Sequence, residues 1–258
     1  HQHIHTVLTQ LGQIVVDELG GTRDYILKFT SGYHPASGIR GGKPKDLWFG
    51  VYRRENQMRF LGNPQVFMIV SGRGIEYGFS PLTHPDDFSN QDIRRQTREI
   101  ARSVLTQLPL PRSQEASSLA NQLIQTGRWY FRRKQRLEPN HSEYQSLDDW
   151  LTFVQSEEGI RNAGGGIAKY TLANNTDGVD LASEVRYTAQ IFRPLMERVV
   201  ADAPPTAARL IATPPPPVTT PHDANVLNFA DLLRDFLREL AAAKTGPYQK
   251  TDTLWNII

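Results

Sequence analysis

The stretch TSGYHPASGIRGGKPKDLWFGVYRRENQMRFLGNPQVFMIVSGRGIEYGFSP, residues 30–81, sets the fold class. Three runs in it, LWFGVY (47–52), QVFMIV (65–70) and GIEYGF (74–79), have the β-branched and aromatic content of strands. Between the first two lies RRENQMRF, in which Glu55-Asn56-Gln57 reads as a turn and residues 58–60 as a fourth short strand. The expectation is a small antiparallel sheet. The stretch opens on a loop with Gly32, Gly38, Gly41, Gly42, Pro35 and Pro44, a composition that excludes regular structure. Such a loop is either a mobile flap or a cradle of backbone N–H groups.

Outward from the sheet, helices predominate. Residues 4–19 carry apolar side chains at 4, 7, 8, 11, 14, 15 and 19, the spacing of an amphipathic helix, ended by Gly20-Gly21. YILKF (25–29) reads as a strand. Ser89 is placed to cap a helix over 89–108 with an apolar stripe of Ile93, Ile100, Val104 and Leu108, and Arg94, Arg95, Arg98 and Arg102 largely on its other faces. Further helices are expected over 113–126, 146–155 and 180–200, the last interrupted by Pro194. The run WYFRRKQR (129–136) is the most concentrated basic and aromatic segment, and its pattern fits a strand or a helix equally. Gly164-Gly165-Gly166 closes a second glycine-rich segment beginning at Glu158.

The fold class read from this is α+β: a small antiparallel sheet with flanking helices, a mainly helical part, a proline-rich linker and a C-terminal helix. A recognition domain spans 4–202, its basic sheet part about 4–136 and its more acidic helical part about 137–202. Residues 203–226, with PPTAARLIATPPPPVTTPHD, form an extended linker. Residues 227–258 begin with a strongly apolar helix leading into a following domain, so the sequence reads as a part of a longer protein.

The 258 residues are 39% hydrophobic and 22% charged, as in ordinary soluble domains, and hold no cysteine. Disulfide frameworks, zinc-thiolate sites and cysteine nucleophiles are thereby excluded. No apolar run reaches the length of a membrane span, and the expected location is cytoplasmic. The net charge of +2 conceals a division: residues 1–136 hold 19 Lys and Arg against 11 Asp and Glu, while residues 137–258 hold 10 against 16. A basic half attracts polyanions, and an acidic half can face a protein partner or fold back on the basic one.

Catalytic patterns fail on inspection. IRGGKPK (39–45) lacks the first glycine of a phosphate loop, with Ser37 in its place, and Pro44 stands where Ser or Thr would hold magnesium. Asp86, Asp87 and Glu76 lack the partners of a nuclease centre, and His34 and His84 stand alone in loops. No catalytic residue, metal site or cofactor is expected. What remains is binding. Arg40, Lys43, Lys45, Arg53, Arg54, Arg59 and Arg73 are candidate phosphate contacts, and Tyr33, Trp48 and Tyr77 are candidates for stacking on a base swung out of the duplex. The plain alternative is that the aromatics are core and the cations solvated rim.

Residues 228–233 (NFADLL) and 240–255 (LAAAKTGPYQKTDTLW) resemble the segment leading into the MrcB-type domain of McrB-like GTPases, which belong to type IV, modification-dependent restriction systems. The resemblance implies a parent with a DNA-reading N-terminal region, a GTP-hydrolysing motor and a separate nuclease subunit. It implies double-stranded DNA, including modified duplexes, as the partner, read in some members by base flipping. The rival expectation is a protein-interaction or assembly module of the same kind of defence complex, without DNA binding.

Overall fold

A computed structural model describes residues 2–29, 46–54, 63–82, 91–133, 141–162, 164–172 and 179–198. Along the chain these form α1 (Gln2–Leu19), β1 (Tyr25–Phe29), β2 (Asp46–Arg53), β3 (Gln65–Ser71), β4 (Gly74–Ser80), α2 (Gln91–Leu105), α3 (Gln114–Gln125), β5 (Tyr130–Arg132), α4 (Leu147–Val154), α5 (Glu157–Asn162), β6 (Gly166–Leu172) and α6 (Leu181–Arg198). The fold is α+β. Its antiparallel sheet has six strands in the order β1-β2-β3-β4-β6-β5. The three strand runs of residues 47–79 lie within one residue of β2, β3 and β4. The proposed turn at 55–57, the strand at 58–60, the Ser89 cap, the linker and the C-terminal helix lie outside the described residues.

Strand alternation gives the sheet two unlike faces. One presents Phe49 and Val51 from β2, Val66, Met68 and Val70 from β3, Ile75, Tyr77 and Phe79 from β4, and Ile167 from β6, all buried. Helix α1 covers it with Leu8, Leu11, Val15 and Leu19, the stripe expected from the sequence. Helix α6 lies beside α1 and sets Phe192 on Phe79, ring centroids 5.0 Å apart. Each such fully buried apolar side chain contributes roughly 1.5–3 kcal/mol. Buried apolar residues of α2, α3, α4 and α5 join the same cluster.

Polar side chains set the helix ends. Ser113 accepts from the Ala116 amide at the start of α3, Ser146 from the Asp149 amide at the start of α4, and Asp180 from the Ser183 amide at the start of α6. Pro194, expected to interrupt this helix, lies inside an α6 that runs unbroken from Leu181 to Arg198. Its missing N–H leaves one rung of the helix unmade, and the packing of Ile191, Phe192, Leu195 and Met196 holds the turn together.

Two strands change the expected sheet. The ambiguous run at 129–136 supplies β5 as an edge strand, with Trp150 Nε1 donating to the Arg132 carbonyl at 3.0 Å. Residues read only as following a glycine-rich segment form β6, which lies between β4 and β5. Gly78 permits that approach: a Cβ there would come within 2.0 Å of the Ile167 carbonyl oxygen.

Candidate nucleic-acid interface

The second face of the sheet is built differently from the helix-covered one. The register places Trp48 opposite Ile69, Ile69 opposite Glu76, and Glu76 opposite Tyr170, while Tyr130 stands opposite Ala168. Among the described residues its apolar cluster of Phe67, Ile69 and Ala168, with Trp48 packed against it, draws on strands alone, whereas the buried residues of the described helices belong to the other face. Charged and hydroxyl groups share this face with aromatic rings.

At its centre Arg132 is fully buried and reaches across the sheet to Glu76, itself 3% exposed; Nη1 donates to Glu76 Oε1 at 2.9 Å. The guanidinium lies over the Tyr130 ring, 5.3 Å from its centroid, and Arg128 lies over the same ring at 5.2 Å. Among the described residues Nε and Nη2 of Arg132 have no hydrogen-bond partner. Tyr170 is bonded to Ser71, and burial pushes its hydroxyl up to about 12; Glu76 adds to the rise, while Arg73 and Arg132 oppose it.

The sequence-derived candidates divide. Arg40, Lys43, Lys45, Arg59 and Tyr33 lie outside the described residues, as do Asp86, Asp87, His34 and His84. Trp48 is on the strand-only face, half-buried. Tyr77 is not: it faces the helices, where its hydroxyl donates to Glu184 Oε2 at 2.7 Å, beside Lys169 Nζ at 2.8 Å from the same oxygen. Burial, reinforced by the Glu184 carboxylate, drives the Tyr77 hydroxyl far above its ordinary pKa. A single base cannot stack on Trp48 and Tyr77 together, so the expected three-ring pocket is corrected. The strand alternation set them on opposite faces.

The cations divide as well. Arg54 donates from Nε and Nη2 to the Thr22 carbonyl at 3.1 and 2.7 Å, clasping the turn before β1. Arg53 donates from Nη1 to the Glu197 carbonyl at 3.0 Å, near the end of α6. Both hold structure together. Arg73 is in the β3–β4 turn at the opposite end of the sheet, the end at which Phe29 and Asp46 bracket the glycine- and lysine-rich segment. Of the arginines on α2, Arg102 forms a forked pair with Glu157 and Arg95 bonds Asp92.

The residues that sequence reasoning missed are Tyr130, Arg132 and Tyr170, with Glu76 weighed only as a metal ligand. A signal existed for two of them, since 130 and 132 alternate within the basic-aromatic run. Among the described residues no three His, Asp or Glu side chains gather as metal ligands, and no helix is long and apolar enough to cross a membrane. Compared with family models, curated proteins and solved structures, the chain matches none.

Proposed function

We propose that this chain is a non-catalytic DNA-recognition module of a multidomain restriction or anti-phage defence NTPase, and that the strand-only sheet face meets the nucleic acid. The observation that carries this reading is the composition of that face. Trp48, Tyr130 and Tyr170 share it with Arg132, and Arg73 and Arg128 stand at its margins. Rings that stack on bases, interleaved with guanidinium groups that contact phosphates or base edges, are what a single-stranded or flipped nucleotide requires. The basic segment at 39–45, which leads in sequence into Asp46, adds sequence-independent phosphate contacts.

The test is fluorescence anisotropy of the full chain with matched duplexes, unmodified and carrying modified cytosines, across a salt series. Binding with a steep salt slope is the expected result. Charge reversal of Lys43, Lys45, Arg73 and Arg128 together lowers the slope by roughly three to four units if each neutralises one phosphate. Arg53 and Arg54 are left intact, because they brace the fold. Unchanged affinity of the quadruple variant at low salt refutes the reading. A second reading, an assembly module without DNA binding, draws on the exposed apolar side chains Leu110 and Ile124, 66% and 75% exposed. Absence of duplex binding at low salt, with capture of a partner through a surface that Ile124→Asp abolishes, selects it.

A further inference from the structure

The Arg132 guanidinium presents an unused fork. Nε–H and the adjacent Nη2–H point side by side in one plane, and neither has an acceptor although the residue is fully buried. A buried charged donor pair without acceptors is costly, and a natural sequence retains one where a water or ligand completes it. Nη1 is already held by Glu76, and the guanidinium is braced over Tyr130, so the direction of the fork is fixed by the protein.

The pairing with Glu76 also selects the charge of the missing acceptor. A carboxylate or phosphate would place a second anion on a guanidinium that Glu76 already neutralises at 2.9 Å, in surroundings of low dielectric. A neutral acceptor pair brings no such repulsion. Near it the face carries the Tyr130 and Tyr170 rings, and elsewhere the apolar Phe67, Ile69 and Ala168, surroundings suited to a planar ring.

We infer that the Arg132 fork is a nucleobase-reading site, taking the edge of an unstacked base that offers two adjacent in-plane acceptors. This rests on the DNA-recognition reading and deepens it. Guanine offers such a pair in O6 and N7, and cytosine in O2 and N3; adenine sets an amino group beside N7, and thymine sets N3–H between its carbonyls. The site therefore separates guanine and cytosine from adenine and thymine. A base inside a duplex cannot reach a fully buried guanidinium, so the base is read only out of its stack. Entry requires side chains around the fork, the half-buried Tyr170 among them, to swing aside.

The experiment uses the full chain and five duplexes: one fully paired, and four carrying a single extrahelical dG, dC, dA or dT. Anisotropy at low salt is expected to show the dG or the dC duplex bound about 5- to 150-fold more tightly than the dA and dT duplexes, the range set by one bidentate contact. If dG is the favoured base, 7-deazaguanine removes the preference; if dC is favoured, the O2/N3 edge is assigned. Arg132→Lys, checked for folding by thermal melting, retains charge without the fork and abolishes the preference. In the wild-type chain, the Arg132 Nε–H resonance shifts on adding the favoured duplex and not the dT duplex.

Equal affinity for all four extrahelical bases, in a chain that binds paired duplex, overturns this inference and leaves the DNA reading standing. Retention of the preference by folded Arg132→Lys does the same. Failure to bind any of the five duplexes overturns both.

Discussion

Truncating Glu76 to alanine isolates the Arg132 ion pair. Both side chains are out of water, at 0% and 3% exposure, and Glu76 holds the Nη1 donor at 2.9 Å. Nε and Nη2 already lack partners, so Glu76→Ala leaves the guanidinium buried with no acceptor on the three nitrogens that the pair and its fork comprise. Removal of one partner from a buried pair costs about 3–5 kcal/mol, chiefly because the surviving charge is uncompensated. Glu76→Gln keeps an acceptor but not the charge, and loses about 1.5–3 kcal/mol. Replacing both residues, Arg132→Met with Glu76→Leu, is expected to be neutral or to stabilise by about 1–4 kcal/mol, since two desolvated charges and the orphaned donors vanish together. Urea unfolding of the four chains, with slopes compared to confirm that each unfolds as one unit, gives their relative stabilities. A loss below about 1 kcal/mol for Glu76→Ala would mean that water reaches the guanidinium, and the description of a buried, braced fork would fail.

Three further outcomes follow from the packing. Gly78→Ala drives a Cβ into the Ile167 carbonyl, where it would lie at 2.0 Å, so the β4–β6 pairing must shift; thermal melting should show a loss of more than about 2 kcal/mol, and an unperturbed melt refutes the close approach. Ser113→Ala removes the acceptor for the Ala116 amide and should cost about 1 kcal/mol by urea unfolding, whereas Ser113→Asp should retain most of the stability. Alkaline titration followed by tyrosinate absorbance should leave Tyr25, Tyr144 and Tyr170 protonated above about pH 10, the ordinary tyrosine value, because burial pushes each up to about 12. With folded values above the unfolded value near 10, the unfolded chain releases its protons first; the stability they contribute is full below about pH 10 and lost as pH rises towards 12. A stability flat between pH 10 and 12 contradicts this.

Local signals carried much of the fold. The dense β-branched and aromatic runs at 47–52, 65–70 and 74–79 mark strands because no helical stripe can be drawn through them, and Ser113 and Ser146 mark helix starts because each precedes an apolar period. The helix stripe of α1 was legible for the same reason. Strand β6 was not, because its pairing partner β4 lies some ninety residues earlier and its own residues, IAKYTL, follow glycines that dominate a local reading. Strand β5 is three residues long, too short for a period to separate strand from helix.

The site failed to be legible on a single point of parity. Whether Trp48 and Tyr77 share a face depends on the register of β2 against β3, which pairs Trp48 with Ile69, and of β3 against β4, which pairs Met68 with Tyr77. A slip of one residue exchanges the faces, and nothing in either strand alone fixes it. The same parity hid Arg132: its partner Glu76 is fifty-six residues away, on a strand reached only across β6.

The two faces also explain how a fold can carry an unpaired donor pair at all. Leu, Val and Phe side chains on the helix-covered face supply the cohesion, with α1 and α6 tied further by Gln190 and Arg186 to Glu18. Buried polar groups on the other side are mostly satisfied, as Ser80 shows by bonding the Leu82 and Gly165 carbonyls. Among the described residues the unmet demand lies at Asn63 Oδ1 and at the Nε and Nη2 of Arg132, whose carbonyl is pinned by Trp150 and whose Nη1 is pinned by Glu76. A guanidinium free to move would relax towards an acceptor. A defect confined to one edge of a doubly anchored guanidinium is instead a preorganised donor pair, which loses little further freedom when an acceptor arrives. If the apolar double replacement proves more stable than the natural chain and yet loses discrimination among extrahelical bases, stability and recognition at Arg132 are opposed, as expected of a residue kept for what it binds.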